Sequence, residues 1–228
     1  MLTGGTGLRA WRVDAAITPV RRLVSVLAVT ALSVVVVRLV LVQSFVIPSG
    51  SMEPTLQVGD RVLVSRLVTR FGGIHRGDVL VFDGTGVFDP TPADPTSRLA
   101  RSGRTLAGAL GVPVGERDYV KRVVGLPGDR VVCCDPAGRI TVDGKPVDEP
   151  YVYPGDSASE VRFDVRVPSG RLWMMGDHRS SSADSRAHLG DPGGGSVPIR
   201  RVVGRVVVVS WPPSHLAVVH GRPVEERR

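Results

Sequence analysis

The sequence predicts a mainly β protein, in which an N-terminal transmembrane helix leads into a domain of antiparallel sheets. Three observations support this. Apolar residues crowd into one block, Leu23–Val42, near the N-terminus. Beyond it, short Val-rich runs alternate with Gly, Pro and Asp, the pattern of strands separated by turns. Aromatic residues make up only 5% of the chain, so Val, Leu and Ile must fill the core, and β-branched side chains favour strands.

The apolar block reads LVSVLAVTALSVVVVRLVLV. A helix of about 20 such residues rises ~1.5 Å per residue and spans the ~30 Å hydrocarbon core. Its one charge is Arg38. At mid-bilayer an arginine would cost roughly 2.5–3.5 kcal/mol, but Arg38 lies toward the C-terminal end and can snorkel to the interface. A buried core helix would carry a polar face, and this one carries almost none. A cleaved leader would have a shorter apolar region and a small-residue cleavage site, whereas Gln43-Ser44-Phe45-Val46-Ile47-Pro48 follows here. Arg9, Arg12, Arg21 and Arg22 precede the block, which predicts a cytoplasmic N-terminus. The chain then divides into a cytoplasmic basic tail (1–22), a single membrane helix (23–42) and an extracytoplasmic domain (43–228).

Strands are expected over Arg61–Val64, Asp78–Phe82, Tyr119–Val124, Arg130–Cys133, Arg139–Val142, Phe163–Val167, Arg171–Met175 and Val202–Val209. Asp143-Gly144 signals a hairpin turn. The last run is too short to cross a membrane as a helix and is stopped by Trp211-Pro212-Pro213. An insertion over 83–117, rich in Pro, Gly, Thr and Arg, breaks the pattern, with a short helix expected around Ser97–Leu110. Arg98, Arg101 and Arg104 would share a face of that helix. They belong either to a solvated loop or to a basic surface resting on the membrane.

The net charge of +7 comes almost wholly from arginine, since the only lysines are Lys121 and Lys145. Any lysine-dependent chemistry therefore has two candidates. No zinc finger, helix-turn-helix or RNA-binding aromatic motif is present, so nucleic acid is excluded as the partner and anionic lipid favoured. The two cysteines, Cys133 and Cys134, are adjacent. They read as two reduced or partly buried thiols or, in an oxidising compartment, as a disulfide between neighbours, which strains the intervening peptide and is uncommon. The sequence does not decide, and no Cys/His spacing suits zinc.

Three segments carry chemistry. Ser49-Gly50-Ser51-Met52-Glu53-Pro54-Thr55-Leu56 places a serine in an irregular turn shortly after the helix. In Asp118-Tyr119-Val120-Lys121-Arg122-Val123-Val124-Gly125-Leu126-Pro127-Gly128-Asp129, Lys121 lies in a run that reads as a buried strand. A buried lysine without a carboxylate partner gives up its proton readily. Pairing with Asp118 is the alternative. Gly176-Asp177-His178-Arg179-Ser180-Ser181-Ser182-Ala183-Asp184-Ser185-Arg186 gathers small polar groups that can orient an amine, with an Asp/Arg pair to brace the loop.

Together with Arg76-Gly77-Asp78-Val79-Leu80-Val81-Phe82, these segments closely resemble, in order, the motifs of the bacterial type I signal peptidase family. The likeness covers roughly residues 20–213 apart from the insertion. It implies a signal-peptidase-like β fold and a membrane-bound serine endopeptidase that removes signal peptides from exported preproteins. By this resemblance Ser51 is the nucleophile and Lys121 the general base. Ser49 joins the Ser51 N–H in holding the oxyanion, Ser182 orients the amine, and Asp184 and Arg186 brace the site. An extended substrate would lie between Phe45, Ile47 and Pro48 on one side and Asp118, Tyr119 and Val120 on the other, presenting small side chains to small pockets. The partners implied are signal peptides and membrane lipid, with no metal or cofactor.

The chain departs from the family pattern in several places. His178 stands where asparagine is often found, the insertion is long, the adjacent cysteines replace a widely spaced disulfide, and the second membrane helix of some members is missing. Two rival readings differ in class. A Ser/His/Asp hydrolase would use one of the five histidines; His178 lies beside Asp177, but Ser51 has no Gly-x-Ser-x-Gly elbow. A membrane-anchored binding protein on the same scaffold would have no use for a buried lysine.

Overall fold

A computed structural model describes residues 14–67, 73–89 and 117–221, with side chains of the first helix described over 19–33. Arg9, Arg12 and the expected helix around Ser97–Leu110, with Arg98, Arg101 and Arg104, lie outside the described residues. So does all of the insertion except 83–89 and Arg117.

Helix α1, Asp14–Leu41, begins before the apolar block and holds all of it except Val42, which opens the first strand. Its Val20, Leu23, Val24, Val26, Leu27, Val29 and Leu32 side chains are all exposed. Among the described residues no helix is long and apolar enough to cross a membrane.

The helix runs straight into β1 (Val42–Val46), followed by β2 (Arg61–Ser65), β3 (Val79–Asp83), β4 (Asp118–Gly125), β5 (Arg130–Cys133), β6 (Ile140–Val142) and β7 (Lys145–Pro146). Then come β8 (Phe163–Arg166), β9 (Arg171–Met175), β10 (Val197–Pro198), β11 (Val202–Trp211) and β12 (Ala217–Val218). The expected strands form within a residue or two. The Asp143-Gly144 turn joins β6 to β7, with φ of 50° at Asp143 and 79° at Gly144, the left-handed pair that a tight hairpin requires. Strand β11 runs two residues past the expected end, through Trp211, and stops at the prolines that follow, which cannot donate to a ladder.

Two antiparallel sheets result. The larger has the order β1-β2-β11-β3-β4-β9-β10, with β12 added beside β11. The smaller has the order β7-β6-β5-β8. Strand β3 is covered on both faces, Val79 and Val81 joining one apolar cluster and Leu80 and Phe82 another. A third cluster ties the small sheet to the large one through Val131, Ile140 and Phe163 on one side and Val124, Trp173 and Met175 on the other. Strand β4 lies between β3 and β9 and is buried from Lys121 to Gly125. That position gives its side chains a fixed place.

The insertion leaves and rejoins the sheet at one point. Gly84 N–H donates to Arg117 O at 2.8 Å, and Arg117 pairs with Asp89 at 3.3 Å. The Tyr119 ring lies against Phe82 and Phe88, and a Cβ at position 84 would overlap it. Cys133 and Cys134 form a disulfide, settling the choice that the sequence left open.

Candidate active site

Ser51 is positioned by a single 3-10 turn, Gly50–Met52, that follows β1. The turn is closed by Glu53 N–H donating to Gly50 O at 3.0 Å and continued by Leu56 N–H donating to Met52 O at 2.9 Å. Met52 and Leu56 are fully buried in the cluster beneath, so the turn is pinned from below. The Ser49 hydroxyl donates to Ser51 Oγ at 3.5 Å.

Lys121 lies on β4 opposite Leu80 in the β3 register and is 4% exposed. Its Nζ donates to Ser51 Oγ at 2.6 Å, within reach for proton transfer. Burial lowers the amine from its ordinary value to about 8; Asp184 and Asp177 act against the shift, and Arg186 acts with it. Among the described residues no carboxylate comes within ion-pair distance of Lys121. Asp118 instead faces Asp83 across the β3–β4 pair, so the Asp118 partnership does not form.

The 176–186 loop closes over this pair. Gly176 is required by close approach, since a Cβ there would overlap Ser182 Oγ and come within 2.5 Å of the Ser51 carbonyl oxygen. Ser182 thereby lies against Gly176, but its buried hydroxyl has no hydrogen-bond partner among the described residues, so the bond expected to aim the amine is not made. Asp184 and Arg186 meet twice, Nε to Oδ1 at 2.9 Å and Nη2 to Oδ2 at 2.8 Å. Asp184 also accepts the Gly176 N–H at 2.9 Å. Burial would raise the Asp184 carboxyl, but its bonds to Arg186 hold it below the usual range.

A second polar network lies beside the first. Arg122, 2% exposed, grips Asp177 with Nε at 2.8 Å and Nη2 at 2.6 Å. It also donates to Gly77 O at 2.7 Å and lies 4.0 Å from the centre of the Tyr151 ring. Thr55 Oγ1 completes the cluster by donating to Asp177 at 2.5 Å. Arg179 pairs with Glu149 at 2.6 Å. His178 Nδ1 faces Gly50 O at 3.3 Å, not Ser51 Oγ, so the histidine hydrolase arrangement is not built.

Next to Ser51 and Lys121 is a cleft of about 180 Å³, lined by Ile47, Pro48, Ser49, Met52, Asp118, Tyr119 and Val120. Of the residues expected to bind substrate, Phe45 is outside this lining. It pairs with Val62 across β1–β2 and is 2% exposed in the core, a consequence of the strand's alternation. A larger cleft of about 550 Å³ lies at Cys133, Cys134, Asp135 and Arg162, but it holds no nucleophile–base pair. Among the described residues no cluster of His, Cys, Asp and Glu could hold a metal ion.

The sequence reading missed Met52 in the cleft wall and the whole Arg122–Asp177–Thr55–Tyr151 network. A buried arginine next to the lysine was the one available signal.

The family model described as "Signal peptidase, peptidase S26" matches residues 20–211. A protein named probable signal peptidase I from Mycobacterium leprae is 39% identical over 220 residues, covering 83% of this chain and 76% of the relative. Signal peptidase I of Mycobacterium tuberculosis is also 39% identical, covering 86% of this chain and 74% of its own length. A Bacillus caldolyticus protein named signal peptidase I is 34% identical, with 78% of this chain and 85% of the relative covered.

Proposed function

The chain belongs to the signal peptidase family, peptidase S26, and from that premise we infer that it is a serine endopeptidase that removes N-terminal signal peptides from exported preproteins. The observation that carries our assignment of the chemistry to Ser51 and Lys121 is their 2.6 Å contact inside the core. A serine hydroxyl is a weak nucleophile until a base takes its proton, and an ordinary lysine, titrating near ~10.4, is charged at neutral pH. Lys121, lowered to about 8 by burial, is neutral in a useful fraction of molecules.

In this mechanism neutral Lys121 takes the Ser51 proton as Oγ attacks the scissile carbonyl. The oxyanion is held by the Ser51 backbone N–H and the Ser49 hydroxyl. The Lys121 ammonium then protonates the leaving amine. Water, activated by the same amine, releases the acyl group.

Substrate enters as an added strand. β9 pairs with β4 only from Arg122 onward, so among the described strands the edge of Asp118–Lys121 facing away from β3 is open. A peptide backbone can pair there. The cleft of about 180 Å³ is smaller than the ~300–1,000 Å³ of sites for drug-sized ligands. It suits the alanine-sized side chains preceding the cut.

Membrane anchoring through α1, with the N-terminus cytoplasmic and the domain outside, is part of this proposal. It is supported by the exposed apolar side chains of α1 and by the arginines before the block. Ser51 would then lie within about 35 Å of the helix end, at ~3.3–3.6 Å per residue of extended chain.

Incubating a purified preprotein with wild type and Ser51→Ala, then sequencing the product N-terminus, tests the chemistry. Cleavage after a small residue by wild type alone is expected, and equal cleavage by Ser51→Ala would remove the assignment. Protease added to spheroplasts should digest the chain beyond residue 44 and spare the tail. A protected C-terminal domain would overturn the orientation.

A further inference from the structure

We propose that His178 is a positioning residue that sets the direction of the oxyanion-holding N–H of Ser51. The inference rests on Ser51 being the nucleophile. Gly50 C=O and Ser51 N–H belong to one peptide unit, planar and trans, so they point in opposite directions and turn together. Fixing the carbonyl fixes the N–H.

Two donors fix it. Glu53 N–H reaches Gly50 O at 3.0 Å from within the turn, and His178 Nδ1 reaches it at 3.3 Å from the 176–186 loop. A carbonyl oxygen only accepts, and the second group near Nδ1 is the Glu53 carboxylate at 3.8 Å, also an acceptor. The ring hydrogen therefore belongs on Nδ1. The bond is long, as such bonds often are before substrate binds, and it can tighten in the transition state.

Two further contacts keep the imidazole in place. The Tyr153 ring stacks on it with centroids 4.0 Å apart and planes 7° from parallel. Its own backbone N–H donates to Ser51 O at 3.2 Å. His178 thus contacts both peptide units that flank Ser51. Tyr153 N–H in turn donates to Asp177 O at 2.9 Å, tying the stacked ring to the same loop.

Three variants separate the hydrogen bond from the stacking. His178→Phe keeps a ring over Tyr153 without a donor, His178→Asn supplies an N–H without the ring, and His178→Ala removes both. Removing an oxyanion donor outright costs ~10²–10³-fold in kcat; misaiming one should cost less, roughly 10–100-fold. That loss is expected in kcat for His178→Phe and His178→Ala, with KM nearly unchanged and His178→Asn close to wild type. A peptide boronate, tetrahedral at the reacting atom, should lose affinity for His178→Phe in proportion, while the cleaved product peptide should not. Wild-type kcat in folded His178→Phe, or loss confined to KM, would overturn the inference. So would His178→Asn as impaired as His178→Phe. Ser51→Ala run in parallel keeps the two readings apart: if it retains activity, the nucleophile assignment fails whatever the His178 variants do.

Discussion

Lys121 and Arg122 are neighbours on β4, equally buried, and treated in opposite ways. Arg122 has a bidentate carboxylate, a backbone carbonyl and an aromatic face. Lys121 has the Ser51 hydroxyl and, among the described residues, no carboxylate. Burial disfavours both charges. It is offset at Arg122 and left largely standing at Lys121. A fully satisfied cation is a structural element; an under-satisfied one is a base.

The contrast breaks hardest in activity. Lys121→Ala should fold and lose cleavage by several orders of magnitude, since general-base catalysis alone contributes ~10²–10⁴-fold and nucleophile activation adds to it. Lys121→Arg should be as inactive, because a guanidinium does not deprotonate. Near-normal preprotein cleavage by folded Lys121→Arg would end the Ser/Lys reading.

Stability should respond with opposite signs. Removing one partner of a buried pair costs about 3–5 kcal/mol, so Asp177→Asn or Arg122→Met should shift urea midpoints far downward. Lys121→Met should instead raise stability at pH 7 by about 3 kcal/mol, at ~1.36 kcal/mol per pKa unit. The lysine's folded value of about 8 lies below its unfolded one. The unfolded chain thus binds more protons between about 8 and ~10.4, and wild-type stability climbs with pH across that window. Below it the full penalty is present, and Lys121→Met should lack the slope. Equal destabilisation by all three substitutions would erase the distinction between the neighbours.

The pH–rate profile sharpens the same point. Cleavage needs the neutral amine, so kcat/KM should rise up to tenfold per unit at acid pH and level off above about 8. An inflection near ~6.5 would indicate a histidine instead. The smallest effect is expected at Lys145, exposed in the β6–β7 hairpin. Lys145→Ala should change stability by no more than ~0.5 kcal/mol and leave cleavage untouched.

The two networks also differ in how far the sequence reveals them. Ser51 and Lys121 stand within continuous motifs, and β5 and β9 have the expected bounds, because alternation and turn residues are local properties. The Arg122 network draws on Thr55, Tyr151 and Asp177, which only tertiary packing brings together. Tyr151 and Tyr153 sit in a stretch without strand periodicity, so nothing local marks them. Strand β1 was missed because Gln43 and Ser44 interrupt its apolar pattern directly after a helix. Phe45 was assigned to the substrate because proximity in sequence says nothing of which way a side chain faces.

The closure at Gly84, Asp89 and Arg117 has a consequence for how the protein can vary. The entropy lost in bringing two chain ends together grows only logarithmically with the length between them, by about 0.6 kcal/mol per doubling. Here the meeting of the ends is secured by the β3–β4 ladder, the Arg117–Asp89 pair and the Tyr119 ring. The closure therefore sets no length on the chain between Asp89 and Arg117: the ladder that places Lys121 is held from its two ends, and Tyr119 joins that closure to the cleft wall.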